Sequence, residues 1–315
     1  MTNDSYQPRE DRVPEADKVW TTLITNTKYI PGLLTLAYSL SKYSEYPLVA
    51  LYTDSLEAEG HKALDIRGIY KKRIDYLLPS AHKDYTNDAR FYDCWSKLQP
   101  FSLTEFKRVV QLDSDMVVVQ NMDELMEIQL NPETAVFAAT HACVCNPYKK
   151  PHYPKDWHEE NCAYTQYKPI NPGQPDSHIY GPSSTFGLGI CNGGLQVVNP
   201  SKKLYEQITD ALATPMRTDH YDFADQSLLS DLFEGKWIPL SYKYNALKTL
   251  KKFHKPIWDD HEVKNVHYIL ATKPWDIRDK PNREELDDTD TFKFWFTLDD
   301  ERLRIERERG IHDGF

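Results

Sequence analysis

The sequence predicts an α/β fold, in which helices cover both faces of a mostly parallel central sheet. Short apolar runs alternate with stretches of helical periodicity, a pattern that is typical of parallel strands joined by helices. Hydrophobic residues make up 40% of the 315 residues, which is enough to build a packed core. The length suits one large domain, so we expect residues 18–315 to fold as a single unit after a polar arm at 1–17.

Apolar periodicity locates the elements of the first half of the chain in order. Residues 19–25 predict a short buried strand, and Pro31 opens a leucine-rich run at helical spacing. Further strands are predicted at 48–53, 74–78, 109–112 and 117–119, and further helices at 57–64, 96–106 and 122–128.

A long irregular insertion is predicted at about 141–189, because prolines and aromatic residues are frequent there and periodicity is weak. Its aromatic content favours an ordered insertion over a disordered one. A helix with aromatic residues first and charged residues afterwards is predicted at about 290–309. The remaining predictions are strands at 194–198 and 263–268 and helices at 201–212 and 225–233.

Charge and hydropathy exclude several classes of protein. The formal net charge is −10, and no long basic stretch offers a surface for nucleic acid. The chain has no run of about 18 to 20 apolar residues, and the polar arm lacks the apolar segment of a signal peptide. The five cysteines fit neither a full disulfide framework nor two Cys-x-x-Cys pairs. We therefore expect a cytoplasmic protein whose partners include neither nucleic acid nor a membrane.

The tripeptide Asp113-Ser114-Asp115 follows a predicted buried strand, at the edge of the sheet where ligands gather. Paired carboxylates suit Mn²⁺ or Mg²⁺, and although such tripeptides also occur in surface loops, this position favours a metal site. His267 ends another apolar run and is either a core residue or a third ligand. Lys273 is either a solvated lysine or a partner for a phosphate oxygen.

Six segments of the chain, in the same order, resemble family 8 of the retaining glycosyltransferases. The resemblance implies a nucleotide-sugar-binding domain of the GT-A type that uses Mn²⁺, with Mg²⁺ as the alternative ion, and a UDP-sugar donor. By motif, Asp113, Asp115 and His267 match the metal ligands of that family. The segments are TTLITNTKYIPGLLTLAYSL, CWSKLQPFSL, VVQLDSDMVVVQNMDEL, CNGGLQVVNP, FADQSLLS and VHYILATKPW.

The resemblance also implies roles for other residues. Three of the matches have a structural alternative: core packing for Tyr29, a tight turn at 192–194, and an N-cap for the pair at 225–226. The matches are Leu23, Thr25, Asn26 and Tyr29 to the uridine segment, Lys97 and Lys273 to phosphate-neutralising positions, Asn192, Gly193 and Gly194 to the segment beside the donor sugar, and Asp225 and Gln226 to the Asp-Gln pair near the anomeric carbon.

These features predict retaining transfer of a hexose from UDP-galactose or UDP-glucose to a soluble hydroxylated acceptor. The alternatives are a non-catalytic UDP-sugar sensor or scaffold and a glycogenin-like self-glucosylating protein. The long segment from Asp113 to Asn192 resembles the arrangement of galactinol synthases more than that of glycogenin. Leu270 departs from the pattern, because the family often has glycine there. The resemblance also leaves a homodimer open.

The insertion is predicted to form part of the acceptor wall, where Trp157 either stacks on a sugar or packs in the core. It also contains a group of cysteines and histidines. This group is either a soft-metal site or a set of free cysteines, and its irregular spacing favours free cysteines. The members of the group are Cys143, Cys145, Cys162, His152 and His158.

Overall fold

The computed structural model describes residues 8, 10–86, 88–166, 179–287 and 289–315. Residues 1–7 and 9 of the predicted arm, and 167–178 of the predicted insertion, lie outside the described residues. The strands are β1 (Lys18–Ile24), β2 (Leu48–Tyr52), β3 (Tyr70–Arg73), β4 (Arg108–Leu112), β5 (Met116–Val118), β6 (Phe137–Thr140), β7 (Leu195–Val198), β8 (Trp237–Leu240), β9 (Ala246–Leu247) and β10 (Asn265–His267). The α-helices are α1 (Ile30–Tyr43), α2 (Ala58–Ile66), α3 (Arg90–Cys94), α4 (Ala163–Gln166), α5 (Lys202–Leu212), α6 (Pro215–Thr218), α7 (Ala224–Leu232), α8 (Lys248–Phe253) and α9 (Phe292–Glu308).

In the described part of the chain, seven strands form the main sheet in the order β3-β2-β1-β4-β7-β6-β8. The strands β3, β2, β1 and β4 are all parallel, as are β6 and β8, whereas β7 runs antiparallel to both of its neighbours. A smaller sheet has the order β5-β10-β9. The prediction of a mostly parallel central sheet is therefore confirmed.

Helices cover both faces of the main sheet. Successive residues of a strand point to opposite faces, so Val19 and Trp20 of β1 enter different hydrophobic clusters. The cluster around Val19 includes side chains of α5 and α7, and the cluster around Trp20 includes Leu36 and Leu40 of α1. Because both faces are buried, apolar residues occur on both sides of β1, and this apolar content explains why the sequence located the strand.

The predicted strand at 74–78 is wrong, because β3 ends at Arg73. Its four residues are Tyr-Lys-Lys-Arg, and they pair in register with β2. Lys71 is buried there and its Nζ lies 2.9 Å from the carboxylate of Asp65, so the charge of this edge-strand lysine is neutralised. A strand whose buried residue is an ion-paired lysine gives no apolar signal in the sequence.

The predicted helix at 96–106 is also different in the structure. After the short α3, residues Trp95–Ser102 form a 3-10 helix that contains Pro100. Proline has no N–H to donate within a helix, and 3-10 geometry is common in such short connectors. The strands β6, β8 and β9 were not predicted.

The helix expected at about 290–309 is confirmed as α9. No helix in the described ranges is long and apolar enough to span a bilayer.

Candidate active site

One cleft, at the edge where β1 and β4 end, collects the predicted site residues. All of them except Lys273 line the cleft, and Lys273 contacts its wall because its Nζ donates to Asp115. The lining residues are Leu23, Thr25, Asn26, Tyr29, Lys97, Asp113, Ser114, Asp115, Asn192, Gly193, Gly194, Asp225, Gln226 and His267.

Backbone pairing brings the three predicted metal ligands together. Asp113 follows β4, and its N–H donates to the carbonyl of Gly194, which precedes the neighbouring strand β7 (2.8 Å). The strands β5 and β10 pair antiparallel, and the Tyr268 N–H donates to the carbonyl of Asp115 (2.9 Å). His267, the last residue of β10, is thereby placed beside both carboxylates.

The ligand atoms of Asp113, Asp115 and His267 all lie within 4.8 Å of one another. The His267 Nε2 is 3.1 Å from Asp115 Oδ1 and 3.6 Å from Asp113 Oδ2. Two ligands that are each about 2.1 Å from a Mg²⁺-sized ion lie about 3 to 4 Å apart, so both distances suit a shared cation. The donor set, two carboxylates and one imidazole, also suits Mn²⁺.

Asn245 orients the His267 ring. Its Oδ1 lies 2.8 Å from His267 Nδ1, while its Nδ2 donates to Asn192 Oδ1 (2.8 Å) and to Thr140 Oγ1 (3.0 Å). The Gly194 N–H donates to Asn192 Oδ1, which fixes that oxygen as an acceptor and so fixes the orientation of the Asn245 amide. His267 then carries a proton on Nδ1, which leaves Nε2, on the carboxylate side of the ring, as the atom that can coordinate a metal.

We expect Asn245→Leu to weaken Mn²⁺ binding about 10- to 100-fold, because the His267 tautomer and ring orientation are no longer fixed. Asn245→Asp is the matched control, since a carboxylate still accepts the Nδ1–H of His267 and preserves most of the affinity. Calorimetric titration of the purified chain with Mn²⁺ measures both variants. Equal affinities for wild type and Asn245→Leu would show that Asn245 does not support the ligand.

Two lysines, the buried Lys273 and the partly buried Lys97, balance the two carboxylates. The Nζ of Lys97 is 2.7 Å from Asp113 Oδ1, and that of Lys273 bonds to Asp115 Oδ2. Burial alone would raise the pKa of Asp115, but the charge of Lys273 and the contact with His267 hold that pKa well below its usual value. Asp115 is therefore a carboxylate across the physiological pH range.

Asp225 has a different environment. Its Oδ2 accepts from Gln196 Nε2 (3.3 Å), and a Cβ on Gly193 would lie 2.3 Å from the same oxygen, so only glycine allows this approach. Burial raises the pKa of Asp225 to about 7, with Lys97 opposing the rise and Asp113 adding to it. The N-cap alternative for this residue is wrong, because α7 begins at Ala224 and Asp225 lies within its first turn.

The raised pKa makes Asp225 a source of instability at neutral pH. In the unfolded chain its pKa is the ordinary 3.8, so between that value and about 7 only the unfolded state releases the proton. Stability is therefore present below the unfolded pKa and is lost as the pH rises through the folded pKa. We expect metal-free Asp225→Asn to match wild type near pH 4 and to be more stable by on the order of 2 kcal/mol above about pH 7.

Thermal unfolding of the two proteins across this pH range measures the difference. The exposed Asp219, outside the cleft, provides the control variant Asp219→Asn, which should show no such pH-dependent gain. A stability difference between wild type and Asp225→Asn that is constant with pH would contradict the raised pKa.

The predicted uridine segment is held by local contacts. Tyr29 lines the cleft with its ring 5.7 Å from that of Trp275 in an edge-on contact, and Arg90 donates to its hydroxyl (3.2 Å). Thr25 Oγ1 donates to Asp93 (2.7 Å), and Asn26 Oδ1 accepts the backbone N–H of residue 28. The side chains of Thr25 and Asn26 thus shape the loop that places Tyr29.

The first part of the predicted insertion forms a wall of the cleft. Asn146, Tyr148 and Tyr153 are among its lining residues. Trp157 also lines the cleft, but its ring stacks on Phe223 at a centroid distance of 4.2 Å and is largely buried. Trp157 therefore supports the wall by packing, in agreement with the core-packing alternative.

Leu270 lines the cleft with a backbone φ of 64°, in the left-handed region that favours glycine. The departure noted in the sequence therefore falls where a leucine is strained.

Sequence reasoning missed Asn245, Arg90 and Asp93. Asn245 lies in the SYKYNAL segment, but a single buried asparagine carries no periodic signal.

The chain is similar to known proteins in sequence and in fold. The sequence model of the family described as Glycosyl transferase family 8 matches residues 21–278. Galactinol synthase 1 of Arabidopsis thaliana is 26% identical over 315 residues, which cover 98% of this chain and 86% of that protein.

Two solved structures have a similar fold. The apo structure of the WbbM bifunctional glycosyltransferase is 16% identical with a TM-score of 0.60, and the match covers 93% of this chain but only 53% of WbbM, about half of its length. An active-site mutant of LgtC is 14% identical with a TM-score of 0.57, and the match covers 90% of this chain and 96% of LgtC. LgtC has also been solved as a galactosyltransferase with donor and acceptor sugar analogs.

Proposed function

The chain belongs to glycosyltransferase family 8, and from this premise we propose that it transfers a hexose from a UDP-sugar to a small hydroxylated acceptor, with retention of configuration and with Mn²⁺ or Mg²⁺ bound. Its fold is of the GT-A type, as predicted. We also propose that residues 18–315 form one such domain. The convergence of Asp113, Asp115 and His267 in the cleft carries the proposal.

The three residues would hold the cation, and the site already has the features that a bound ion needs. His267 presents its Nε2, and both carboxylates face the same small space. A bound divalent cation would shield the negative charge of the departing diphosphate.

The side chains of the chain itself supply the rest of the electrostatic stabilisation. Lys97 and Lys273 place two ammonium groups next to Asp113 and Asp115, where they would also neutralise phosphate oxygens. Both ammonium groups are held in ion pairs before a donor sugar binds, so little reorganisation is needed when charge develops on the leaving group. The ring of Tyr29, which makes a T-shaped contact with that of Trp275, is proposed to stack on the base.

Asp225 and Gln226 are proposed to lie at the sugar. The Gly193 N–H donates to Gln226 Oε1 (3.3 Å), so the Asn192-Gly193-Gly194 turn and the start of α7 form one side of the cleft. Small residues in this turn let a ligand approach the backbone closely. The raised pKa of Asp225 places its ionisation near neutral pH, where a carboxylate beside a developing positive charge is most useful.

The donor and acceptor are proposed from the relatives. Because the chain is similar to galactinol synthase 1 of Arabidopsis thaliana, UDP-galactose is the first donor to test and UDP-glucose the second. For the same reason, polyols are the first class of acceptor to test. The wall formed by the insertion is the proposed acceptor side, since its Asn146 and Tyr148 can contact hydroxyl groups. None of the five cysteines forms a disulfide, which fits the proposed cytoplasmic location. Fractionation of cells that express a tagged chain tests that location.

The direct test is UDP release by the purified chain with Mn²⁺, a panel of UDP-sugars and a panel of polyols and sugars. Transfer to a polyol, with a product of retained configuration, is the expected result. Tight UDP-sugar binding without turnover across both panels would favour a sensor or scaffold instead. Growth of the chain's own mass by hexose units would indicate self-glucosylation.

A further inference from the structure

The group formed by Asp113, Asp115 and His267 is called the aspartate site below. A second group of potential metal-ligating side chains lies outside it. Three cysteines of the insertion surround the ring nitrogen of one histidine from a distant part of the chain, and their ligand atoms all lie within 4.8 Å of one another. The group, which we call the thiol cluster, consists of Cys143, Cys145, Cys162 and His254.

The distances within the thiol cluster match a tetrahedral site. The His254 Nε2 is 3.4 Å from Cys143 Sγ, 3.2 Å from Cys145 Sγ and 3.9 Å from Cys162 Sγ. The Sγ atoms of Cys143 and Cys162 are 4.0 Å apart. With Zn–S of about 2.3 Å and Zn–N of about 2.0 Å, tetrahedral geometry puts the ligands about 3.5 to 3.8 Å apart.

We propose that the thiol cluster binds a structural Zn²⁺ ion through three thiolates and the His254 imidazole. Four protein ligands complete a tetrahedral shell and leave no position for substrate, which is the pattern of structural rather than catalytic zinc. Thiolate ligands select zinc over the hard ions that suit the aspartate site. The histidines of the sequence prediction, His152 and His158, are not members, because His158 contacts Asn161 and Glu160 and His152 packs on Tyr153.

The proposed ion would fasten the cleft wall to the body of the protein. Cys143 and Cys145 stand near the start of the insertion, Cys162 immediately precedes α4, and His254 follows α8. Cys143 lines the cleft, and α8 follows β9, the strand that pairs with the His267-bearing β10. Three cysteine ligands between residues 143 and 162 would hold this segment in place, and the segment contains little regular secondary structure.

The surroundings of the thiol cluster suit a bound ion. Cys162 and His254 are buried, so solvent has little access to the metal position. The Thr165 hydroxyl lies 3.6 Å from Cys145 Sγ and can donate to a thiolate, and the Tyr164 ring packs against His254 at 5.9 Å. Hydrogen bonds and packing of this kind hold ligands in place around a metal.

The test is elemental analysis of the full chain, purified under reducing conditions without added metal. We expect about one zinc ion per chain, with the loss of most of it in Cys162→Ser and its retention in Cys191→Ser, a buried cysteine outside the thiol cluster. Because zinc could also occupy the aspartate site, the count is repeated in Asp115→Asn, which should keep its zinc. This readout does not depend on sugar transfer, so it stands apart from the proposed function.

Replacement of the native metal by Co²⁺ gives a second measurement that does not require a folded variant. Thiolate-to-cobalt charge-transfer absorption and intense visible bands of tetrahedral Co²⁺ are expected in wild type and in Asp115→Asn. Wild-type protein that contains no zinc and shows no such bands would overturn the proposal. So would a Cys143–Cys162 disulfide found by mass spectrometry in the native protein, or zinc retained by a folded Cys162→Ser.

Discussion

Asp115→Asn is expected to lower the rate of UDP release at saturating donor by roughly 1000-fold or more. The carboxylate of Asp115 meets His267 on one side and Lys273 on the other, and it is almost fully buried. Asparagine keeps the shape but removes the charge that a divalent cation requires. Steady-state kinetics with Mn²⁺, together with calorimetric titration of the metal, measure the loss.

The control for this variant is Asp219→Asn, which removes one exposed carboxylate outside the cleft and should leave transfer unchanged. Raising the Mn²⁺ concentration should recover some activity in Asp115→Asn if the defect is metal affinity. Undiminished transfer by Asp115→Asn would remove the basis of the proposed function, because no other carboxylate in the described residues contacts both His267 and Lys273.

Lys273→Met is expected to lower kcat/KM about 100-fold, since an ammonium group placed for the diphosphate is lost. It should also destabilise the metal-free protein by on the order of 3 kcal/mol, because the buried Asp115 loses its main countercharge. Mn²⁺ should restore part of that stability by supplying positive charge at the same carboxylate. Thermal unfolding with and without Mn²⁺, alongside kinetics, measures these effects.

Lys251→Met is the matched control for the second variant. Lys251 is also a partly buried, ion-paired lysine, with its Nζ 2.8 Å from Asp260, but it lies away from the cleft. Its loss should affect stability without a response to Mn²⁺ and without a change in kcat/KM. If Lys273→Met had normal kinetics, Lys273 would be only a structural partner of Asp115, which also fits its bond to the Tyr268 carbonyl.

The two proposed metal sites differ in chemistry and in place. The aspartate site has hard oxygen ligands and one imidazole at the carboxyl edge of β4, next to the sheet. The thiol cluster has soft sulfur ligands and joins the insertion to the segment after α8. Metal analysis can therefore separate them, because removal of Mn²⁺ should stop transfer while zinc stays bound.

Local signals located those parts of the site that follow regular elements. Asp113 comes directly after β4, whose residues Val109, Val110 and Leu112 are apolar, and Asp115 follows close behind it. His267 ends the short strand β10 after the apolar Val266. Tyr29 follows β1 after a short connection. The parallel strands β1 and β4 end at the same edge of the sheet, so the order of the elements was enough to place the segment of Tyr29 near Asp113 and Asp115. His267 reaches the same place through the pairing of β10 with β5 in the smaller sheet.

Other parts of the site depend on contacts between distant segments. Asn245 touches His267 and Asn192, and none of the three is close in sequence to both of the others. His254 reaches the thiol cluster about 90 residues after the last cysteine in it, whereas the sequence suggested nearby histidines instead. A residue that makes a single contact with a distant segment does not produce a periodic pattern in the sequence. Its contact partner therefore cannot be identified from the spacing of residues along the chain.

The sequence by itself determined the α/β class, the family and the carboxylates at the end of β4, because buried strands and ordered motifs are local properties of the chain. Only the tertiary structure decided which histidine joins the cysteines, which amide sets the His267 tautomer, and how burial raises the pKa of Asp225. Each of these properties depends on contacts between segments that are distant in sequence. Those contacts, and the burial that they cause, exist only in the folded chain.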